Sequence, residues 1–347
     1  MAMNALSGIH SVPLPWQKDI WQRAGAWLAS GKLPHALMIA GPAGTGKELF
    51  AQAFAALALC RHPESGRACG QCASCHQFRA GTHPDYHYVT IPEDKSGILV
   101  DQIRGLAQTL ALTSQHGGRK IAVLSPADAM NTNAANSLLK TLEEPSAETL
   151  LVLVTARPTR LPATIRSRCQ VLRIAAPAID TAMQWLKSLE ARNDWPALLG
   201  IAGGGPLMAM QLAQNSLVRE RLRFYHMLVE LRTGQKNPLA AAAETSREPL
   251  PLVLRLLQSW VMDLIVLATL DGMKQPELVN GDALTLLQST LKGLNLRGLH
   301  AYLSRLNEAV VLAATPVNGQ LLLENLLMEW ADGLQTFATA PLAARGG

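Results

Sequence analysis

Four cysteines fall in one short segment, as Cys60-x8-Cys69-x2-Cys72-x2-Cys75. Thiolates at such spacing suit a tetrahedral Zn²⁺ ion, which takes sulfur ligands at about 2.3 Å. Pro63, Gly66 and Gly70 lie between them, so the segment can fold back on itself. An iron–sulfur cluster and unligated thiols are the alternatives; against the cluster, the Cys-Pro that closes a common ligand run is missing. Four cysteine ligands fill a tetrahedral site and leave no open position for catalysis, so the ion is expected to be structural. The neighbouring His76 and His83 are read as surface or packing residues.

A second constellation is Gly41-Pro-Ala-Gly44-Thr-Gly46-Lys47, between an apolar run and a helical pattern. In that context glycines let backbone N–H groups turn inward around phosphate oxygens, and the helix N-terminus adds positive potential. Lys47 would reach the outer phosphates. The next position should carry a hydroxyl that helps hold Mg²⁺, but it is Glu48. A carboxylate about 4 Å from a phosphate charge costs on the order of 4 kcal/mol at an effective dielectric near 20. Magnesium offsets part of this repulsion, so the sequence leaves ATP or ADP occupancy of the loop open. The run Lys120–Leu124 should lead into two acidic residues that organise metal and water; Ser125 and Pro126 stand there instead. Neither can polarise water as a carboxylate does. Asp128 is displaced by three residues and is read as a loop or helix-cap residue.

Arg157, Arg160, Arg166 and Arg168 follow within twelve positions. The default reading of each is a surface cation. The alternative is a guanidinium offered to a phosphate in a neighbouring subunit, where its planar fork matches phosphoryl oxygens.

The elements that must position these residues alternate in type. Ala36–Ala40, Tyr86–Ile91, Lys120–Leu124, Leu150–Val154 and Val171–Ile174 are strand-like. Helical spacing fills 47–59, Ile103/Leu106/Leu110, and Ala135/Leu138/Leu139/Leu142, the last capped by Asn131 or Thr132 and ended by Pro145. That alternation predicts a parallel α/β sheet. After Pro177 the strand signals stop, Gly203-Gly-Gly-Pro206 punctuates a short helical segment, and a purely helical pattern runs from about Leu217 to Phe337. Boundaries are expected near 175 and 215.

The 347 residues are 48% hydrophobic and 16% charged, which excludes a disordered chain. The most apolar stretch, Val253–Leu270, is interrupted by Arg255, Gln258 and Asp263, so no membrane span and no membrane partner are expected, and a cytoplasmic location follows. A reducing location argues against disulfides in the cysteine cluster. The net charge of +5 permits nucleic acid without requiring it. Arg104, Arg119 and Lys120 are weak candidates for DNA contacts.

Taken in order, the loop at 41–47, the four-Cys insert, Gly81-Thr-His-Pro-Asp85, Leu138-Leu-Lys-Thr-Leu-Glu-Glu-Pro145 and Ser167-Arg-Cys169 resemble the bacterial clamp-loader subunits of the AAA+ class, most closely the delta-prime type. The resemblance covers about residues 14 to 335. It implies an AAA+ P-loop-type domain (1–175) carrying the zinc insert (60–75), a small helical lid (176–215), and an all-α collar (216–347) that joins five subunits. It implies a non-hydrolysing subunit within the DNA polymerase III holoenzyme, with motor subunits of the gamma/tau type and a delta subunit as partners in a hetero-pentamer, and with the sliding clamp and primed DNA reached through the complex. Arg168 matches the finger inserted into a neighbour's ATP site, Thr155 matches a γ-phosphate-sensing position, and no arginine stands at 203–206 where motor subunits carry one. An ATP-hydrolysing motor of the gamma/tau type is the competing assignment, and a stand-alone zinc-dependent nucleic-acid binder is a third. The third explains the cysteines alone.

Overall fold

The computed structural model describes residues 13–116, 118–270, 277–313, 315 and 317–334. The last positions of the expected helical run, 335–337, lie outside them. The chain forms two compact units, one of residues up to Leu189 with Gly204–Met208, the other of Glu190–Gly203 with residues from Ala209 onward.

In the first unit the strands are β1 (Ala36–Ala40), β2 (Tyr86–Val89), β3 (Lys120–Leu124), β4 (Thr149–Thr155) and β5 (Gln170–Arg173). They pair in the order β2-β3-β4-β1-β5, and every pairing is parallel. Around them lie α1 (Lys18–Ala29), α2 (Lys47–Leu59), α3 (Ala73–Arg79), α4 (Val100–Ala111), α5 (Thr132–Glu143), α6 (Ala163–Arg166) and α7 (Ile179–Leu189). Both faces of a parallel sheet must be covered, which is why its strands read as unbroken apolar runs. Side chains alternate between the faces. Met38, Ala122, Leu124, Leu151 and Leu153 meet Ile103, Leu106, Leu138 and Leu142 of α4 and α5. Leu37, Ile39, Ile121, Val123, Val152 and Leu172 meet Trp21, Phe50 and Phe54 of α1 and α2. Asn131 caps α5, its side chain accepting from the Ala134 N–H at 2.8 Å.

The second unit is helical among its described residues: α8 (Trp195–Ile201), α9 (Pro206–Ala213, from Ala209 on), α10 (Ser216–Arg219), α11 (Arg221–Arg232), α12 (Pro238–Thr245), α13 (Leu250–Thr269), α14 (Leu284–Leu291), α15 (Leu296–Leu312) and α16 (Gly319–Ala331). By length and composition alone α13 is apolar enough to cross a membrane, but half of its most apolar window is buried inside the protein. Its Trp260 stacks on Tyr225 at 4.3 Å. Its buried Asp263 accepts from the Val279 and Asn280 N–H groups at 2.9 and 2.8 Å. An apolar helix that carries such a network reads as a core helix.

Asp85 sets the start of the edge strand β2. Its buried carboxylate accepts from Ser114 Oγ at 2.9 Å and from the Gln115 and His116 N–H groups at 3.0 and 3.2 Å. Burial alone would raise its pKa, but these three donors outweigh it and hold the carboxyl below its ordinary value. A depressed native value gives stability that is present above the unfolded pKa of about 3.9 and is lost as pH falls through the native one. Asp85→Asn should therefore cost about 1–3 kcal/mol near neutrality, the range for unsatisfied buried partners. Urea unfolding followed from pH 7 downward should show that difference shrinking below about pH 3.9. A difference that stays constant with pH would contradict this account.

Candidate functional site

The glycine loop follows β1 directly, and Gly46 is the N-cap of α2 in a left-handed conformation (φ +79°). Its glycines face protein. A Cβ at Gly44 (φ +73°) would sit 2.5 Å from Met208 Cβ, and one at Gly46 would sit 2.6 Å from Leu14 Cδ1. At Gly205 a Cβ would lie 2.2 Å from the Ala43 oxygen, so Gly205 lies directly against the loop.

Protein donors also take the loop's carbonyls. Thr45 O accepts from Trp16 Nε1 at 3.0 Å and from Gln17 Nε2 at 2.9 Å, and the same amide reaches Gly46 O at 3.0 Å. Gly44 O accepts from the Leu207 N–H at 3.0 Å. Thr45 Oγ1 donates to Pro42 O at 2.9 Å, and the Lys47 amine donates to the same oxygen. Lys47 thus folds onto its own loop. Burial brings its pKa down from 10.5 to about 8, against the pull of Asp128 and Glu48. Glu48 accepts from the Tyr88 hydroxyl; burial and that carboxylate both push the Tyr88 phenol upward.

At the end of β3, Ser125 is buried and Pro126 follows. Asp128 lies in the short 3-10 turn Ala127–Ala129 rather than at a helix cap. Its side chain is 3% exposed and ion-paired to Arg157 Nε at 3.0 Å. It also accepts from Thr155 Oγ1 at 2.8 Å, and Thr155 Oγ1 in turn accepts from the Arg157 N–H at 3.0 Å. Thr155, the displaced acid Asp128 and Arg157, one of the four clustered arginines, therefore form a closed group. The sequence reading missed this role of Arg157, although an arginine two residues past a buried strand end was visible. Arg168 stands apart from this group. Its Nη1 donates to Thr164 O at 3.0 Å and its Nη2 pairs with Glu143 at 2.7 Å. Its side chain is 37% exposed. Lys120 is buried, with its amine donating to the carbonyls of Leu110 and Leu112 at the end of α4. It is therefore not an exposed cation.

The four cysteines converge. Their sulfurs all lie within 4.8 Å of one another, with Cys69 and Cys75 at 3.9 Å. A tetrahedron with 2.3 Å metal–sulfur bonds has edges of about 3.8 Å, so the donor set fits a four-coordinate metal. Two sulfurs accept backbone N–H groups from within the cluster, Cys60 from Cys69 at 3.2 Å and Cys69 from Cys72 at 3.4 Å. The Arg61 N–H holds the Cys72 thiol down at about 6, while burial pushes Cys75 up to about 12. A bound cation would deprotonate such a thiol outright. His83 is buried and not among these ligands. Its Nδ1 accepts from the Asp85 N–H at 3.1 Å, and its Nε2 lies 2.9 Å from Ser74 Oγ, which donates to Leu59 O at 2.7 Å. The imidazole thereby ties the four-cysteine segment to the sheet.

The DNA polymerase III delta subunit family matches residues 16–178, and the C-terminal family of the same subunit matches 215–332. The DNA polymerase III subunit delta' of Pseudomonas aeruginosa is 38% identical over 72% of this chain and 76% of its own. The subunit of the same name from Escherichia coli is 30% identical over 94% of this chain and 98% of its own. The tau subunit of Bacillus subtilis is 32% identical over 55% of this chain and 34% of its own length.

The burial of Lys47 has a measurable sign. A lysine whose native pKa lies below its unfolded value opposes folding while both states are charged, and the opposition fades as pH rises from about 8 to 10.5. Lys47→Met should be more stable than the parent chain at pH 7, and the gap should close over that interval. Chemical unfolding at pH 7 and pH 10 reads this directly; a gap that is absent at pH 7 or widens at pH 10 would refute it.

Proposed function

The chain belongs to the DNA polymerase III delta-prime family of clamp-loader subunits, and from that premise we propose that it is a non-hydrolysing member that completes the ATP site of a neighbour. Within its complex it helps load the sliding clamp onto primed DNA. Its partners are the gamma/tau-type motor subunits and a delta subunit in a hetero-pentamer in the bacterial cytoplasm. It works as three parts: an AAA+ domain (1–175), a small lid (176–215) and a collar (216–347) that carries assembly. The four-cysteine centre holds a structural Zn²⁺ ion.

One observation carries the non-hydrolysing reading. Ser125 and Pro126 stand where β3 should deliver two carboxylates, and the nearby Asp128 is already paired with Arg157. Hydrolysis needs a carboxylate free to organise metal and water. Glu48, the Lys47 contact with Pro42, and the absence of an arginine at 203–206 point the same way. These features weigh against the competing gamma/tau-type motor, although the glycine spacing is intact.

The finger is Arg168. It lies half-exposed on the surface, held by a carbonyl and by one exposed carboxylate. Exposed pairs of this kind are worth about 0–1 kcal/mol, so a phosphate can displace Glu143 at small cost. In the neighbour's site the guanidinium would neutralise charge that builds on the γ-phosphoryl oxygens, through a planar fork that a lysine cannot reproduce. The chain contributes to catalysis in trans while being inert alone.

The test is steady-state ATPase of the reconstituted ring with clamp and primed DNA. The isolated chain should release no phosphate above background. Arg168→Ala should assemble normally and lower the stimulated turnover. At the affected site the loss should be about 10³–10⁵-fold, as for other fingers, and smaller over the whole ring because the other sites keep theirs. Arg168→Lys should rescue poorly. Wild-type turnover in Arg168→Ala rings would overturn the finger. Motor-like turnover by the isolated chain that disappears in Lys47→Ala would overturn the non-hydrolysing reading.

A further inference from the structure

Gly70 lies between Cys69 and Cys72 in a left-handed conformation (φ +73°). Its neighbouring cysteine takes part in the centre, the Cys72 N–H donating to the Cys69 sulfur at 3.4 Å across Gly70, and the Gly70 backbone lies near enough to Cys75 to pull that thiol's pKa down against burial. The Gly70 carbonyl accepts from Arg79 Nη2 at 3.0 Å. Arg79 ends α3, four residues beyond Cys75, and residues four apart share a helix face. The helix that presents one ligand therefore also reaches back to the turn that presents two others. A closed path runs from Cys75 along α3 to Arg79, across to Gly70, and through the adjacent Cys69 back to the Cys75 sulfur at 3.9 Å. Four thiolates around a divalent ion also leave a net negative centre, which a guanidinium on its rim favours.

We propose that Arg79 is a positioning residue of the four-cysteine centre: its guanidinium clamps the Gly70 carbonyl and so fixes the turn that aims the Cys69 and Cys72 sulfurs. The proposal rests on the metal reading above. Among the described residues Arg79 makes no hydrogen bond to a sulfur, and its bond to Gly70 is solvent-exposed, so its removal leaves no buried group unsatisfied. Its effect should appear in metal retention and not in the stability of the sheet.

Zinc affinity of the full-length protein is measured by competition with a chromogenic chelator, after elemental analysis of the purified chain. Partners that orient metal ligands from outside the first sphere typically contribute 10- to 100-fold in affinity, so Arg79→Ala should weaken zinc binding by about that factor. Arg67→Ala removes the same charge from the same segment without touching Gly70, and should stay within about twofold of the parent. With zinc bound, amide exchange at residues 69–72 should quicken in Arg79→Ala and remain at the parental rate in β1 and α2. The metal-free forms of both variants should unfold like the metal-free parent. Parental zinc affinity in Arg79→Ala would overturn the clamp, as would an equal loss in Arg67→Ala. A parent chain that holds no zinc and takes up none on reconstitution would overturn the metal reading itself.

Discussion

The parallel direction of all five strands governs where chemistry can sit in the first unit. Parallel strands require crossovers, so each loop that follows a strand leaves from the same edge of the sheet. The glycine loop after β1, Ser125 after β3 and Thr155 at the end of β4 are neighbours for that reason. The arrangement needs both faces of the sheet buried, which α1 and α2 do on one side and α4 and α5 on the other. A change in core packing that moved β1 against β4 would move every candidate residue with it.

Within that frame the loop has the outline of a phosphate cradle and the bonding of a structural turn. Trp16, Gln17 and Leu207 take its carbonyls, and Lys47 takes another. A donor turned on its own backbone must leave that partner before it can meet a phosphate. An internal partner is found at Asp128 too, whose carboxylate is ion-paired to Arg157. Two separate positions thus satisfy their polar groups from within the chain.

Much of this was legible in the sequence, for local reasons. Ala36–Ala40, Lys120–Leu124 and Leu150–Val154 read as buried strands because a sheet covered on both faces tolerates no polar alternation. Asn131 read as a cap because a side-chain acceptor before a helical pattern has few other uses. The cysteine spacing carried the metal centre because its ligands are close along the chain. Contacts between distant positions were not legible. Nothing in Gln17 announces Thr45, nor in Tyr88 its partner Glu48, since these bonds span 28 and 40 residues. Arg157 failed for a related reason: four arginines in twelve residues look alike until one is found against a buried acid. In the helix α13 the interruptions Arg255, Gln258 and Asp263 were visible in the sequence, but the bonds of Asp263 to Val279 and Asn280 were not.

The close approaches at the loop bear on how such chains diverge. Met208, Leu14 and the Ala43 carbonyl press so near to Gly44, Gly46 and Gly205 that a single methyl group would collide. Purifying selection on fold alone would therefore keep these glycines long after any demand for nucleotide had lapsed. Glu48, Ser125 and Pro126 are not glycines, and no such ban on a side chain acts at their positions. Across a lineage the glycine pattern would record ancestry, and the acidic and hydroxyl positions would record occupation. A genome survey that sorts chains by glycine spacing would group this one with any chain of intact loop, whereas one that weighs the residues beside the glycines would set it apart.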